Sequence, residues 1–338
     1  MTSDHSAASR SGLLAAKLRA LVAARFGAAE RVPVDFPGGA GLVAGEVAWL
    51  LIDADPLKAF GPALVWADRQ EVTEVHLLVE HQAPILARRA ACFAEPPTVW
   101  QVDGTTTEPV PPAPVATAAD AESAPALAEL LVDADLEVIV EDGIVRGEVR
   151  GLEVARVVHG HTSTGVPIDE PIIEVGVGHA DRELTAMLHG GLSPVDQLAR
   201  VAEIVRTHRR PGAERHPLNQ LAPERWLRAR LVADPARIGL ARLRPLEPAV
   251  PRPNLRDRAV AMAIGETAEG DPVVVACSVG IDLDLVPAAA DARLAASPEA
   301  RLLLVVPARD DHPVTRQLAA RLLDPAEIVP IEGDWRTP

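Results

Sequence analysis

The sequence predicts an α/β fold in which one βαβαβ unit occurs twice, near the two ends of the chain, with an α+β segment between the copies. Short apolar runs rich in Val, Ile and Leu alternate with helical segments in both copies, as in parallel strands covered on both faces. Proline stands at corresponding helix starts, at Pro62 and Pro84 in one copy and at Pro287 and Pro313 in the other. These matches indicate two copies of one folding unit.

Each copy contains three predicted strands and two predicted helices. In the first copy the strands cover residues 47–52, 75–79 and 98–102, with helices beginning at Pro62 and Pro84. In the second copy the strands cover residues 273–278, 302–306 and 327–331, with helices beginning at Pro287 and Pro313. The pattern is typical of half of a doubly wound, Rossmann-like layer. Because three strands give only a small core, we expect the copies to pair, in one sheet or as one pseudo-symmetric body.

The rest of the chain completes a four-part organisation. An amphipathic helix over residues 11–26 precedes the first copy, and both belong to a predicted N-terminal domain over 1–104. A stretch rich in Pro and Ala over 105–124 is typical of a linker. The α+β insert covers 125–244, and the second copy belongs to the C-terminal segment 245–338.

The insert has the predicted order helix, hairpin, strand, strand, helix. Its predicted elements are a helix over 125–132, strands over 136–141, 144–149, 152–158 and 172–177, and helices over 180–189, over 195–209 and from Pro223. Glu129 lies on the first helix, Glu153 on a central strand and Glu174 on the next strand. This order resembles the core of the PD-(D/E)xK nuclease superfamily. We therefore expect a split Rossmann-like repeat with an inserted, restriction-endonuclease-like module.

The resemblance implies a metal-dependent phosphodiesterase with Glu153, Glu174 and Glu129 as catalytic residues, in which Glu153 and Glu174 hold Mg²⁺ and the metal activates water. The sequence departs from the family pattern because Gly176 stands where the family places lysine. Arg156 supplies a positive charge nearby, but an arginine does not readily act as a base. We therefore expect a degenerate, non-cutting module, with an active Mg²⁺-dependent nuclease as one alternative. In the structural alternative, Glu153 and Glu174 are outward-facing positions of alternating strands.

A second candidate site lies at the carboxyl edge of the two Rossmann-like copies, where open α/β sheets bind ligands. The polar residues predicted there are Asp53, Asp55, Ser278, Asp282, Asp284, Asp310 and His312. Neither a G-x-G-x-x-G nor a G-x-x-x-x-G-K-[ST] loop occurs, which disfavours a dinucleotide or ATP site. Residues of these types also cap helices and form turns, and that is the alternative to ligand binding.

A third candidate is an arginine-rich segment. Residues 200–258 hold fourteen Arg against six acidic residues, whereas the whole chain has a formal net charge of −15. The predicted contacts with nucleic acid are Arg206, Arg209, Arg210, Arg225, Trp226 and Arg228, with the indole as a stacking platform. The net charge argues against generic binding of nucleic acid, so pairing of these arginines with acidic residues of the same chain is the alternative.

Three phrases, GEVRGLEVARVV, HPLNQLAPERWLR and CSVGIDLDLVPAAADAR, resemble an uncharacterised family of hypothetical proteins from high-GC actinobacteria. The resemblance implies a cytoplasmic setting and no assigned activity. No apolar run is long enough to cross a bilayer, and the two cysteines, Cys92 and Cys277, are expected to be core thiols. The sequence thus favours a nucleic-acid-related or regulatory protein. The other possibilities are an active nuclease and a non-catalytic scaffold that binds a small ligand or a protein.

Overall fold

The structure, a computed structural model, describes residues 2–115, 124–162, 165–178, 181–182, 193–214, 216–250 and 259–336, with side chains from residue 10 onward. It is a mixed α/β protein. The chain divides into two compact units, the first formed by Met1–Val115, Ile281–Leu294 and His312–Ile328, the second by Ala116–Gly280, Ala295–Asp311 and Val329–Pro338. In the described part of the chain, none of the helices combines the length and the hydropathy required to cross a bilayer.

The described helices are α1 (Thr2–Phe26), α2 (Pro56–Arg69), α3 (Ala83–Ala90), α4 (Pro125–Asp133), α5 (Pro194–His208), α6 (Pro223–Ala233), α7 (Leu285–Ala296) and α8 (Pro313–Ala320). Short 3₁₀ turns lie at Pro217–Asn219, Pro235–Ile238 and Ala308–Asp310. The described strands form three sheets.

The first sheet has six strands, which lie side by side in chain order. They are β1 (Val32–Val34), β2 (Gly39–Ala44), β3 (Val47–Ile52), β4 (Glu74–Val79), β5 (Thr98–Asp103) and β6 (Thr106–Pro109). Strands β3, β4 and β5 are parallel and the outer pairings are antiparallel. Helix α1 packs on one face, where Leu18 and Val22 join Trp49, Leu78 and Trp100 in a buried cluster.

The middle sheet is an antiparallel meander of four strands, in the order β10-β9-β8-β7. These strands are β7 (Glu137–Glu141), β8 (Ile144–Val149), β9 (Leu152–Val158) and β10 (Ile172–Val175). The third sheet has the order β11-β12-β13-β14-β15. Its strands are β11 (Arg242–Pro245), β12 (Ala261–Glu266), β13 (Pro272–Cys277), β14 (Arg301–Pro307) and β15 (Glu327–Ile331).

The first and third sheets share one order of elements. In each, an antiparallel pair, β2 with β3 or β12 with β13, precedes a helix and a strand parallel to the one before it. A second helix and a last strand follow. The two copies do not share a sheet in the described residues, so one of the two expected ways of pairing is not seen.

Segments of the two copies do meet within the first unit. Phe93, after α3, forms an antiparallel bridge with Leu322, after α8. The Ala94 N–H donates to the Arg321 carbonyl at 2.9 Å, and the Leu323 N–H donates to the Cys92 carbonyl at 2.9 Å. The two hydrogen bonds are related by exchange of the copies. Ala94 and Leu323 are each ten residues after the corresponding proline, Pro84 or Pro313, and Cys92 and Arg321 are each eight residues after it. The contact is therefore pseudo-symmetric.

Several element boundaries differ from the sequence-based expectation. Pro62 lies inside α2, which begins at Pro56 after the capping residue Asp55, and Pro287 is the third residue of α7. Strands β1, β2, β11 and β12 were not predicted, and β6 lies in the expected linker. The predicted helix over 180–189 falls outside the described residues except at positions 181 and 182.

Candidate functional site

The middle sheet has one apolar face and one charged face. On the apolar face, Leu152, Val154 and Val157 of β9 pack in a buried cluster with residues of α4 and α5. Glu153 lies between Leu152 and Val154, and since successive strand residues point to opposite faces, its side chain is on the other face. That face carries the charged residues of β7, β8, β9 and β10.

A β-bulge in β9 determines which residues share the charged face. Glu153 pairs with Glu148 and Ala155 pairs with Gly147, so that β9 has one extra residue at this point of the ladder. In a strand without a bulge, positions three apart point to opposite faces. Here Glu153 and Arg156 contact each other, because the extra residue restores the same side for both.

Three arginines surround the buried Glu153 carboxylate. Its Oε1 accepts from Arg156, at 2.7 Å from Nε and 2.6 Å from Nη2, and from Arg182 Nη1 at 3.0 Å. Its Oε2 accepts from Arg146 Nη1 at 2.7 Å. Burial acts to raise the pKa of Glu153, but the charges of Arg156, Arg146 and Arg182 outweigh it, and the pKa is lowered. Glu153 is therefore an ionised carboxylate at neutral pH.

Glu174 belongs to the same group of charges. Its Oε2 lies 3.9 Å from Arg182 Nε, so the two acids that the nuclease resemblance singles out contact one guanidinium. Burial, followed by the positive charge of Arg156, lowers the pKa of Arg182. We call Arg146, Glu153, Arg156, Glu174 and Arg182 the Glu153 cluster.

The Glu153 cluster does not fit a divalent metal. A cation that shares Glu153 and Glu174 would need their oxygens as ligands, yet three guanidiniums already contact Glu153 and one of them contacts Glu174. Three positive charges in hydrogen-bond contact would also repel Mg²⁺. Among the described residues, no group of three or more His, Cys, Asp or Glu is arranged to hold a metal ion.

Glu129, the third predicted catalytic residue, does not join this cluster. It is exposed on α4, and α4 packs on the apolar face of the sheet through Leu131. Glu153 lies on the opposite face. The structure thus brings together two of the three predicted acids and separates the third.

Helix α6 covers the other part of the charged face. Arg225 donates to Glu148 and to Glu141, each at 2.6 Å, and Arg228 donates to Glu148 at 2.9 Å. All four side chains are buried. The other side of α6 packs Leu227 against the third sheet. The helix therefore joins two sheets of the second unit. We call the ion pairs of Arg225 and Arg228 with Glu141 and Glu148 the clamp. They are the intramolecular charge pairing that the sequence offered as an alternative.

The six predicted contacts of the arginine-rich segment differ in exposure. Arg209 is fully buried, stacks 4.8 Å from the Trp226 ring, and donates to backbone carbonyls that include those of Arg150 and Leu218. Burial lowers the pKa of Arg209 to about 10. Trp226 is only 1 % exposed. Arg209, Arg225, Trp226 and Arg228 therefore offer no surface to a nucleic acid in this conformation, which corrects their expected role as contacts.

The other two predicted contacts, Arg206 and Arg210, reach solvent. Arg206 donates to the backbone carbonyls of Ala134 and Asp135, at 3.1 and 2.7 Å, and its side chain is 29 % exposed. Arg210 is exposed. Two of the six predicted contacts are therefore accessible to a nucleic acid in this structure.

The predicted ligand-edge residues of the first unit have partners within that unit. Arg10 donates to Asp53 at 2.8 Å, and Asp55 caps α2 by accepting from the Leu57 N–H at 3.0 Å. Asp282 accepts from the Asp284 N–H at 2.9 Å. His312 caps α8. These contacts match the alternative in which the edge residues cap helices and form turns.

Asp284 is the exception in this group because its titration is strongly shifted. Arg89 Nη1 lies 2.6 Å from its Oδ1, but burial and the nearby charges of Asp282 and Asp55 outweigh that contact. They raise the pKa of Asp284 to about 7. Asp55, Asp282 and Asp284 are therefore brought close enough to interact.

Two ligand-edge residues belong to the second unit. Ser278 is buried, and its N–H donates to the Val305 carbonyl at 3.1 Å. Asp310 accepts from the Gly280 N–H at 2.7 Å. Both contacts stabilise the chain after β13 and β14.

Sequence reasoning missed Arg182 and Arg146 as partners of Glu153. Arg146 could have been found, since Arg146 and Glu148 alternate with apolar residues along β8. Arg182 carries no comparable signal, because it is outside the strands.

Comparison of the chain with protein-family models, with curated proteins and with solved structures gives no match.

Proposed function

We propose that this chain is a non-catalytic binding protein, in which the charged face of the middle sheet contacts the ligand. One observation carries the proposal: the carboxylate expected to hold a metal, Glu153, accepts hydrogen bonds from Arg146, Arg156 and Arg182. Under this proposal the likeness to a nuclease core concerns the scaffold alone, and the module binds without cutting.

Energetics support a preformed site. An ionised carboxylate that is almost fully buried is costly unless its hydrogen bonds are satisfied, and three guanidiniums satisfy those of Glu153. A metal would have to displace at least one arginine and leave its charge partly buried. The arrangement therefore favours the arginines over a cation.

A nucleic acid is the less favoured ligand. The formal net charge of −15 repels a polyphosphate chain at a distance, and four of the six predicted contacts are buried. A ligand that reaches only the Glu153 cluster avoids most of that repulsion, because the field of distant surface charges is screened by salt within about 10 Å.

A cleavage assay combined with Mn²⁺ binding tests the proposal. Purified full-length protein is incubated with single- and double-stranded DNA and RNA plus Mg²⁺ or Mn²⁺, beside Glu153→Gln and Glu174→Gln. We expect no cleavage by any of the three proteins. We also expect the electron paramagnetic resonance signal of free Mn²⁺ to be the same with wild type and with Glu153→Gln. Metal-dependent cleavage that both substitutions abolish would overturn the proposal.

A further inference from the structure

The two halves of the charged face differ in their balance of charge. Under α6, Glu141 and Glu148 face Arg225 and Arg228, two acids against two bases. In the Glu153 cluster, two acids face three bases. Glu141 also lies 4.0 Å from Arg146 Nε, so the two halves together have five arginines against four glutamates. Asp142 lies 3.7 Å from Arg146, but its side chain is 39 % exposed, so water screens much of that interaction. The cluster therefore retains an excess positive charge.

The strand register concentrates this excess. Arg146 of β8 is directly opposite Arg156 of β9, and like charges in directly opposite positions destabilise a sheet. Because of the bulge, the like-charged Glu148 and Glu153 are also directly opposite each other. Arg225 and Arg228 of α6 balance the negative charge of Glu148. Glu153 accepts from both opposed arginines, and Glu174 of β10 is directly opposite Arg156 on its other side. A second anion beside them would complete the compensation.

The cluster also has donors and access. Arg146 Nε and Arg182 Nε are buried and have no hydrogen-bond partner among the described residues. Arg146 Nε lies 4.0 Å from a Glu141 oxygen and Arg182 Nε 3.9 Å from a Glu174 oxygen, too far for a hydrogen bond. The side chains of Arg146 and Arg156 are 13 % and 20 % exposed, whereas Glu153 is 1 % exposed. Glu153 therefore contacts the guanidiniums from the buried side, and the side chains of Arg146 and Arg156 are the more accessible part of the cluster.

We propose that Arg146, Arg156 and Arg182 bind the phosphate group of a small molecule. This inference rests on the proposed binding function and names its ligand class. A planar guanidinium offers paired N–H groups whose spacing matches two oxygens of a phosphate, and several arginines around one tetrahedral oxyanion give strong, charge-assisted hydrogen bonds. Glu153 and Glu174 orient the arginines, so the site is preorganised.

The test uses the full-length protein with two probes, inorganic phosphate and phenyl phosphate. Affinity is measured by calorimetry, and thermal unfolding is followed against sodium chloride of equal ionic strength. We expect saturable binding of both probes and a rise in Tm that chloride does not reproduce. Arg156→Gln should weaken the apparent Kd about tenfold or more, because it removes a charged hydrogen-bonding fork. Arg210→Gln, an exposed arginine outside the cluster, should bind like wild type.

Glu174→Gln should change the affinity for phosphate in the opposite direction from Arg156→Gln. Removing one negative charge beside Arg182 should tighten phosphate binding several-fold, and a purely structural role of the cluster would not produce tighter binding. Arg156→Lys keeps the charge and loses the fork, so it should bind with intermediate affinity. Arg156→Lys also replaces Arg156→Gln in the comparison with wild type if Arg156→Gln does not fold.

Three results would overturn the phosphate site: no saturable binding to folded wild type, equal affinity of wild type and Arg156→Gln, or displacement of phenyl phosphate by a single-stranded oligonucleotide at lower concentration than by phosphate. The last result would assign the cluster to a polymer. These failures leave the cleavage and Mn²⁺ results unaffected, so the phosphate site and the non-catalytic function fail separately.

Discussion

Phe93 and Leu322 occupy corresponding positions in the two βαβαβ copies and pair with each other in an antiparallel bridge. Two hydrogen bonds flank the bridge, from Ala94 to Arg321 and from Leu323 to Cys92, and exchanging the two copies converts one into the other. In a homodimer such contacts would be isologous. The single chain therefore contains, within its first unit, a contact of the kind that joins two identical subunits.

The ion pairs near this contact predict a large effect for Asp291→Asn. Asp291 is fully buried and accepts from Arg88 at 2.6 and 3.1 Å, with Arg89 Nε at 3.4 Å. Without its charge, the buried Arg88 loses its acidic partner and the buried Arg89 keeps only Asp284. We expect the free energy of unfolding to fall by about 3 to 5 kcal/mol, measured by urea denaturation.

The pair between Arg321 and Asp68 provides the control for Asp291→Asn. It also joins the two copies within the first unit, but the Asp68 side chain is 45 % exposed. Asp68→Asn should therefore cost less than about 1 kcal/mol. Equal effects of the two substitutions would show that burial does not decide the strength of these pairs.

The clamp between α6 and the middle sheet predicts a similar loss for Arg225→Met. Glu141 and Glu148 would each lose a hydrogen bond of 2.6 Å, and both carboxylates are buried. The expected cost is about 3 to 5 kcal/mol. Arg242→Met is the matched control, because Arg242 pairs with Glu266 but is 79 % exposed, and it should cost about 1 kcal/mol or less. A small loss in Arg225→Met, measured by thermal and urea unfolding, would contradict the clamp.

Much of the element order could be predicted from the sequence, and the exceptions have physical reasons. The strands over 47–52, 144–149 and 152–158 match β3, β8 and β9 because each is a concentrated apolar or alternating run. Strand β12 was missed because its Gly265 and Glu266 weaken the pattern. Pro62 is typical of a helix start, but α2 begins six residues earlier, at Pro56, where Asp55 caps it.

The candidate site was predictable only in part. Glu153 and Glu174 were correctly placed on neighbouring strands, because β10 pairs with β9. Their arginine partners depend on the bulge in β9, and a bulge depends on pairing with β8, which is not visible in a single strand. The buried positions of Arg225 and Arg228 likewise depend on Glu141 and Glu148, which are distant in sequence.

The raised pKa of Asp284 predicts a dependence of stability on pH. In the unfolded chain an aspartate titrates near 3.9, whereas in the folded protein the pKa is about 7, because of burial and the charges of Asp282 and Asp55. The folded state binds the proton more strongly, so the contribution to stability is complete below pH 4 and is lost as pH rises through 7.

Asp284→Asn removes this titration. The free energy of unfolding of the variant relative to wild type should therefore increase between pH 5 and pH 8, by about 2 to 3 kcal/mol. Urea denaturation at several pH values measures it. A relative stability that stays constant over this range, or that falls, would contradict the raised pKa.

His76 predicts a second effect of pH, with the opposite direction. Trp100 Nε1 donates to His76 Nδ1 at 3.2 Å, and His76 Nε2 lies 3.0 Å from Glu74. Burial lowers the pKa of His76 despite Glu74. Its stabilising contribution is therefore present above the ordinary histidine pKa and is lost as pH falls through the folded value.

The indole N–H signal of Trp100 reports this protonation directly, because a proton on Nδ1 removes the acceptor. In ¹⁵N-tryptophan-labelled protein, with the signal assigned by Trp100→Phe, we expect the resonance to shift with a midpoint below about 6.5. A midpoint at or above that value would show that the Glu74 contact outweighs burial. Trp66, whose N–H donates to the Asp35 carbonyl, provides an indole signal that should stay constant.

Gly61 predicts an unusual response to alanine. It lies in the interior of α2, where glycine is ordinarily less stable than alanine by about 1 kcal/mol. A Cβ at Gly61, however, would be 2.0 Å from the Leu283 carbonyl oxygen, and a backbone atom cannot move away as a flexible side chain does. Gly61→Ala should therefore lower the free energy of unfolding, whereas Gly12→Ala in α1, with no atom within 4 Å of the new Cβ, should raise it or leave it unchanged. Urea denaturation of both variants measures the contrast, and stabilisation by Gly61→Ala would contradict the close approach of α2 to the segment that precedes α7.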